Sequence, residues 1–411
     1  MAAASAAASC SAAVSVTSWR CSSSRENEAY SAARSGSSSS SSSSNSSNSS
    51  VRMQAYSNNS IISSRSNSGG GSIISPMVVG REAGFEEGDL ERPRWAGDDV
   101  LSRFVSALIA IKPLFNIMKF GARQVVIRTA EKKGINWRKM ADEVLTSDVY
   151  AEKELLEDKS LVYPDYYLKE FHAYADGNLS WKAASEVAPA TLSMVLRTIP
   201  TAKTAAEAAE RVRGAWLWAI EDHHRAHSNG LGVSAILDVG CSTGESTQAL
   251  AAGFPDAKLV GLDLSPYFLA VAQYMQKTRV ASGKPGTERS ISWVHANGES
   301  TGLPAASFDI VSLAFVIHEC PQHVIKNLLK EAYRLLRPGG TVALTDNSPK
   351  SKIIQSLPPA VFTLMKSTEP HSDEYYLLDL DGAMKEIGFI NVTSVLTDPR
   401  HRTVTGTVPL K

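Results

Sequence analysis

Apolar positions change their spacing three times along the chain. From residue 231 onward, short β-branched runs alternate with amphipathic stretches, the pattern of a mostly parallel sheet wound with helices on both faces. The runs SAILDVG (234–240), KLVGLDL (258–264), ISWVHAN (291–297), FDIVSLAFV (308–316) and TVALTDN (341–347) predict strands. Between the last two, Val324, Ile325, Leu328, Leu329, Ala332, Leu335 and Leu336 share one face of a helix that Pro338-Gly339-Gly340 stops. A helix near 375–387 and two β runs, INVTSVLT and RTVTGTV, follow.

Upstream, helical periodicity dominates. Residues 98–133 place Val105, Leu108, Ile109, Leu114, Phe115, Ile117, Met118, Val125 and Val126 at helical spacing. Lys112, Pro113, Lys119 and Arg123 interrupt that block, so it predicts no membrane span. The block AAEAAERVRGAWLWAIEDHH, ending at His224, is rich in helix formers. Residues 96–230 therefore read as a helical cap region, and 231–411 as the sheet domain.

The first 80 or so residues have neither periodicity. They are Ala- and Ser-rich, include an unbroken run from Ser37 to Ser44, and offer too little apolar surface to offset the entropy of ordering. Arg20, Arg25, Arg34, Arg52 and Arg65 face only Glu26 and Glu28 there, and such a hydroxyl-rich, acid-poor leader resembles an organelle transit peptide. The start MAAASAAASCSAAVS lacks an Arg-studded amphipathic helix, so a plastid is expected, with the mitochondrion second. We place this transit and low-complexity tail at 1–95.

Charge and cysteine content exclude some partners. Lys+Arg and Asp+Glu both number 42, so no net positive field recruits nucleic acid or an anionic membrane. The cysteines Cys10, Cys21, Cys241 and Cys320 lack the close spacing of zinc or disulfide frameworks, which fits a reducing compartment. No metal-ligand set is assigned, because His223, His224 and His227 read as a solvated helix C-terminus.

The candidate chemistry begins where the first predicted strand ends. Asp238-Val239-Gly240-Cys241-Ser242-Thr243-Gly244 puts two glycines at a sharp turn on the edge where open α/β sheets bind ligands. The dinucleotide fingerprint G-x-G-x-x-G is not met, since position 242 is Ser. Asp263 ends the second predicted strand 19 residues after Gly244, near the spacing of a ribose-binding carboxylate; the rival role, capping the helix that starts at Ser265-Pro266, is one that Ser265 already suits. Asn297-Gly298, after the third strand, suits either an adenine contact or an ordinary turn. Phe315, His318, Glu319, Asp346 and Asn347 emerge at the ends of the fourth and fifth strands. His318 reads either as a general base or as an orienting group.

Four segments in order, ILDVGCSTGESTQAL, LVGLDLSPYFLAVA, ANGESTGLPAASFDIV and EAYRLLRPGGTVALTD, resemble the successive motifs of class I S-adenosylmethionine (SAM) dependent methyltransferases. They are similar to the type 11 branch, which includes ubiquinone/menaquinone C-methyltransferases. The segment VYPDYYLKEFHAYADGNLSWKAA is similar to plant and cyanobacterial members of unassigned substrate. The resemblance implies a Rossmann-like, doubly wound, seven-stranded sheet. It implies SAM held by Asp238, Gly240, Cys241, Gly244, Asp263, Leu264, Asn297, Gly298 and Phe315. His318 and Glu319 are the candidate catalytic residues. Transfer from a sulfonium is an in-line displacement that needs no metal.

The expected acceptor is small or lipophilic, such as a quinone carbon or a phenol oxygen; a SAM-binding scaffold without turnover is the rival, and peripheral membrane contact remains compatible. The segment Ile317-His318-Glu319-Cys320-Pro321 is not the Asn/Asp-Pro-Pro-Tyr/Phe string of amide and nucleobase N-methyltransferases. Tyr163, Tyr166, Tyr167, Phe171, His172, Tyr174 and Trp181 either roof the acceptor or join the helical region to the sheet. Cys241 and Cys320, at the ends of neighbouring strands, are a possible redox pair that requires Cα atoms within about 7 Å.

Overall fold

In the computed structural model, which describes residues 85–97, 100, 102, 103, 107, 111–172, 174–283 and 291–410, seven strands form one sheet in the order β3-β2-β1-β4-β5-β7-β6. The parallel strands are β1 (Ala235–Val239), β2 (Lys258–Asp263), β3 (Ile291–His295), β4 (Phe308–Ala314) and β5 (Leu336–Asn347). β7 (His401–Thr407) runs antiparallel between β5 and β6 (Ile390–Leu396). β1 is flanked by β2 on one side and β4 on the other, so the chain reverses its direction of travel across the sheet there. Such a switch point opens a crevice at the carboxyl ends of the strands.

Alternate side chains feed two core layers. Ile236 and Ile310 enter one layer, while Leu237, Val239, Val311 and Leu313 enter the other. The second layer is closed by α8 (Gln322–Leu335), whose Val324, Ile325, Leu328, Leu329, Ala332 and Leu335 are all buried as the periodicity predicts. That helix stops at Leu335 and β5 begins at once, three residues earlier than the Pro-Gly-Gly expectation. Pairing runs Phe308 to Leu336 and then Ile310 to Thr341, so the Pro-Gly-Gly residues lie in an irregularity of the strand.

The upstream helices are α1 (Lys112–Lys132), α2 (Trp137–Leu145), α3 (Val149–Leu156), α4 (Trp181–Thr198) and α5 (Ala205–His227). A boundary at 230/231 does not match the packing. Val195, Leu196, Val212, Trp216 and Ile220 of α4 and α5 share a layer with Ile236, Leu259 and Ile310 of the sheet. α5 is thus one of the helices that winds the sheet, and all described residues fall in one unit.

His223 and His224 are buried rather than solvated, a correction to the helix-end reading. His223 bonds the hydroxyls of Thr407 (2.9 Å) and Thr393 (3.3 Å), while His224 bonds the Thr341 hydroxyl and the Leu231 carbonyl. Burial lowers both imidazole pKa values, that of His223 to about 4, so they are neutral hydrogen-bonding groups of the core.

The boundary at residue 95 also moves. Residues 85–97 dock on the far end of the chain, with Trp95 2% exposed, its ring stacked on Phe362 at 5.8 Å and edge-on to Tyr376 at 5.0 Å. Its indole N–H donates to the Ile354 carbonyl, and Glu87 bridges Ser351. The leader expectation for residues 1–84, and most of the helical expectation for 98–110, lie outside the described residues. No helix among the described residues is long and apolar enough to cross a membrane.

Candidate active site

The turn after β1 is shaped by its own backbone. Gly240 (φ 69°), Ser242 (φ 50°) and Gly244 (φ 83°) all lie in the left-handed region, and α6 (Glu245–Gly253) starts immediately afterward. A Cβ at Gly240 would stand 2.6 Å from Val316 Cγ2, and one at Gly244 2.6 Å from the Trp293 ring. Protein, not an open hollow, fills the space beside these glycines, so they serve the turn's geometry and packing first.

Two carboxylates hold this turn from below and beside. Asp238, fully buried at the end of β1, accepts the hydroxyls of Ser246 (2.6 Å) and Thr247 (2.7 Å) on one oxygen. Its other oxygen, Oδ1, is buried without a partner among the described residues, and so is Thr243 Oγ1. A buried polar atom left unpaired costs about 1–3 kcal/mol, and both of these lie at the turn that follows β1. Asp263 accepts Ser242 N–H at 2.8 Å and Ser265 N–H at 2.7 Å. Its carboxylate therefore turns toward the loop, and the helix α7 (Pro266–Ala281) is capped instead by Ser265, whose Oγ accepts Phe268 N–H. Burial pushes both Asp238 and Asp263 up to about 6 despite those hydrogen bonds.

The third-strand residues divide differently. Asn297 Oδ1 accepts Glu299 N–H in a local turn, and a Cβ on Gly298 would meet Leu328 and Val239 at 2.8 Å. Gly298 is thus needed for core packing. Leu264, buried next to Asp263, offers its carbonyl to His295 Nε2. Sequence reasoning gave no role to His295, whose Nδ1 accepts Asp158 N–H at 2.9 Å; nothing in its spacing announces it.

Above the carboxyl edge runs a strap, residues 158–172 and 174–180. Tyr163 reaches His295, Tyr166 donates to Glu299, and Tyr167 stacks on Tyr163 at 6.3 Å. Asn178 closes the strap by offering its carbonyl to Ser265 Oγ (2.7 Å) and its amide to Glu319 (3.3 Å). Burial and the nearby charges of Asp263 and Glu319 raise the Tyr167 phenol well above its usual range, so its ring stays neutral over the site. Tyr174 and Trp181 leave this group and pack in a separate cluster with Phe268 and Val271 of α7, with Tyr174 donating to Glu186.

At the end of β4, Phe315 adopts φ 61° and sits edge-on to His401 at 4.9 Å. A single 3₁₀ turn, Ile317–Glu319, then presents His318 and Glu319. His318 Nδ1 lies 2.8 Å from a carboxylate oxygen of Asp346, and its backbone N–H also donates to that group. Burial disfavours the imidazolium, but Asp346 outweighs it and raises the His318 pKa to about 10. Asp346 thereby fixes the orientation of the His318 ring. Burial raises the Glu319 carboxyl, against the opposing influence of the nearby His172 and His318 side chains.

Cys241 and Cys320 do not form the expected pair. Both are free, Cys241 packing in the layer of Trp293 and Leu250, Cys320 in that of Val324 and Ile325, on opposite faces of the sheet. Burial raises both thiols well above their ordinary range and leaves them unreactive.

Residues 237–344 match a family described as a methyltransferase domain. The demethylmenaquinone methyltransferase of Lactococcus lactis subsp. lactis is 30% identical over 115 residues, 28% of this chain and 42% of the relative. A ubiquinone/menaquinone biosynthesis C-methyltransferase of Methylobacterium nodulans is 38% identical over 106 residues, 26% of this chain and 38% of the relative. The chain thus spans about two fifths of the length of these two relatives. Among solved structures, an apo SAM-dependent methyltransferase, SibL, aligns over 50% of this chain and 57% of its own at 24% identity and a TM-score of 0.37. Asp238, Gly240, Gly244 and Asp263 all fall inside the segment that matches the methyltransferase domain, and that segment is similar in sequence to ubiquinone/menaquinone C-methyltransferases.

Proposed function

We propose that this protein transfers a methyl group from SAM to a small or lipophilic acceptor, a quinone-ring carbon or a phenolic oxygen. The observation that carries the reading is the pair of buried, partnerless acceptors, Asp238 Oδ1 and Thr243 Oγ1, on a turn whose flank is held by Asp263. Asp263 would receive the ribose hydroxyls, and Asp238 with Thr243 the charged methionine end. When bound, SAM supplies an electrophilic methyl on sulfur.

The chain's own residues then have positional tasks. The strap of Tyr163, Tyr166 and Tyr167 excludes water from the carboxyl edge, where an aromatic wall suits a flat acceptor. His318, held by Asp346, sets a positive charge beside the acceptor region and favours an ionised acceptor oxygen. The names of the relatives support a quinone-like acceptor, and the composition of the leader supports delivery to a plastid.

Calorimetry with SAM and with NAD, followed by methyl-transfer assays on short-chain demethylquinols and phenols, tests the reading. SAM binding with a methylated product is the expected result. Preference for NAD overturns it, and SAM binding with no product from any acceptor, including organelle extracts, replaces it with a scaffold.

A further inference from the structure

Three residues far apart in the sequence, His172, His318 and Glu369, bring one ligand atom each to within 4.8 Å of one another. They come from three different elements: the strap, the 3₁₀ turn after β4, and the C-cap of α10 (Pro359–Thr368). With separations this long, no spacing in the chain announces them.

Each is fixed by something other than its partners in the cluster. His172 N–H donates to the Thr368 carbonyl at 2.9 Å, which ties the strap to the residue before Glu369, and its backbone sits at φ 48°. Glu369 N–H donates to the Met365 carbonyl at the helix end. His318 has its Nδ1 committed to Asp346, and its Nε2 makes no protein hydrogen bond among the described residues.

We propose that His172, His318 and Glu369 form a site for a first-row divalent cation such as Zn²⁺, with a position left open toward the acceptor side. Two imidazoles and a carboxylate are the donor set of catalytic zinc sites, which keep their remaining position for water or substrate. His172 Nε2 stands 3.8 Å from Glu369 Oε1, close to the edge of about 3.4 Å that ligands at about 2.1 Å from a tetrahedral ion span. The Asp346 carboxylate on His318 Nδ1 is the outer partner that a metal-bound imidazole almost always has, and it leaves Nε2 to the ion. Exposure is graded across the set, from buried His318 through Glu369 to exposed His172, which provides an entry path. The ion's coordination of an acceptor oxygen rests on the proposed methyl transfer; the binding itself does not.

The test uses the full-length protein stripped with a chelator and without SAM or acceptor. Zn²⁺ titration by calorimetry and Co²⁺ titration by visible absorption are expected to give one ion per chain, with the absorption of a low-coordinate Co²⁺ site. His172→Ala and Glu369→Gln should each weaken binding at least about tenfold, and Asp346→Asn about 10- to 100-fold. Circular dichroism and SAM calorimetry check that the variants keep their fold and nucleotide site. Absence of stoichiometric binding to the wild-type chain, or binding unchanged in folded His172→Ala and Glu369→Gln, overturns the site. Either result leaves the SAM titration free to succeed or fail on its own.

Discussion

A carboxylate oxygen of Asp263 accepts the backbone N–H of Ser242 at 2.8 Å, so the residue that ends β2 braces the turn that follows β1. Asp263→Ala removes the brace and the ribose acceptor together. The expected loss is about 2–3 kcal/mol of SAM affinity, or roughly 30- to 150-fold in Kd, read by calorimetry. Because burial lifts the Asp263 carboxyl to about 6, SAM affinity should also fall as pH drops from 7 to 5. Affinity that is flat to pH 5 would count against an ionised carboxylate at this place.

Gly240 faces Val316 so closely that any Cβ collides, and its φ of 69° adds strain for a non-glycine residue. Gly240→Ala should cost about 1–3 kcal/mol and lower the melting temperature. In the double variant Gly240→Ala/Val316→Ala the collision is relieved. Partial recovery of the melting temperature there separates crowding from backbone strain.

Acid stability depends on His223. Its folded pKa is depressed to about 4, below the ordinary imidazole value of 6.5, so its contribution is fully present above 6.5 and is lost as pH falls through 4. The shift corresponds to up to about 3 kcal/mol. Denaturant titrations of wild type and His223→Gln between pH 7 and 4 should show a steeper decline for the wild type. Parallel curves would mean the imidazole titrates freely.

Trp95 predicts that residues 85–97 stabilise the fold. A chain beginning at Phe85 keeps the indole and its contacts, whereas one beginning at Asp98 loses them. Removing a buried Trp costs about 3–5 kcal/mol, visible as a clear drop in melting temperature. Equal melting of the two shortened chains would show that residues 85–97 contribute nothing.

Much of the sheet was legible because strands buried on both faces read as short runs rich in apolar residues, and α8 because six of the seven predicted apolar positions share its buried face. The turn and Asp263 were legible from glycine spacing and strand ends. What stayed hidden depends on partners distant in sequence. His295 meets Asp158 across 137 residues, and no local pattern encodes that meeting. The burial of His223 did have a signal: it lies 11 residues after Val212 and seven after Trp216, on the same helical stripe. Terminal position and neighbouring charges masked that stripe. Cys241 and Cys320 were misplaced because neighbouring strand ends say nothing about which face a side chain takes.

Trp95 has a consequence for the order of events as the polypeptide is made. Its stacking partners, Phe362 and Tyr376, lie more than 260 positions downstream. A ribosome releases the indole long before it delivers them, and any translocation channel that threads the chain from its N-terminus does the same. In that interval the indole lacks its stacking partners, so the packing of residues 85–97 is a late step in the assembly of this fold.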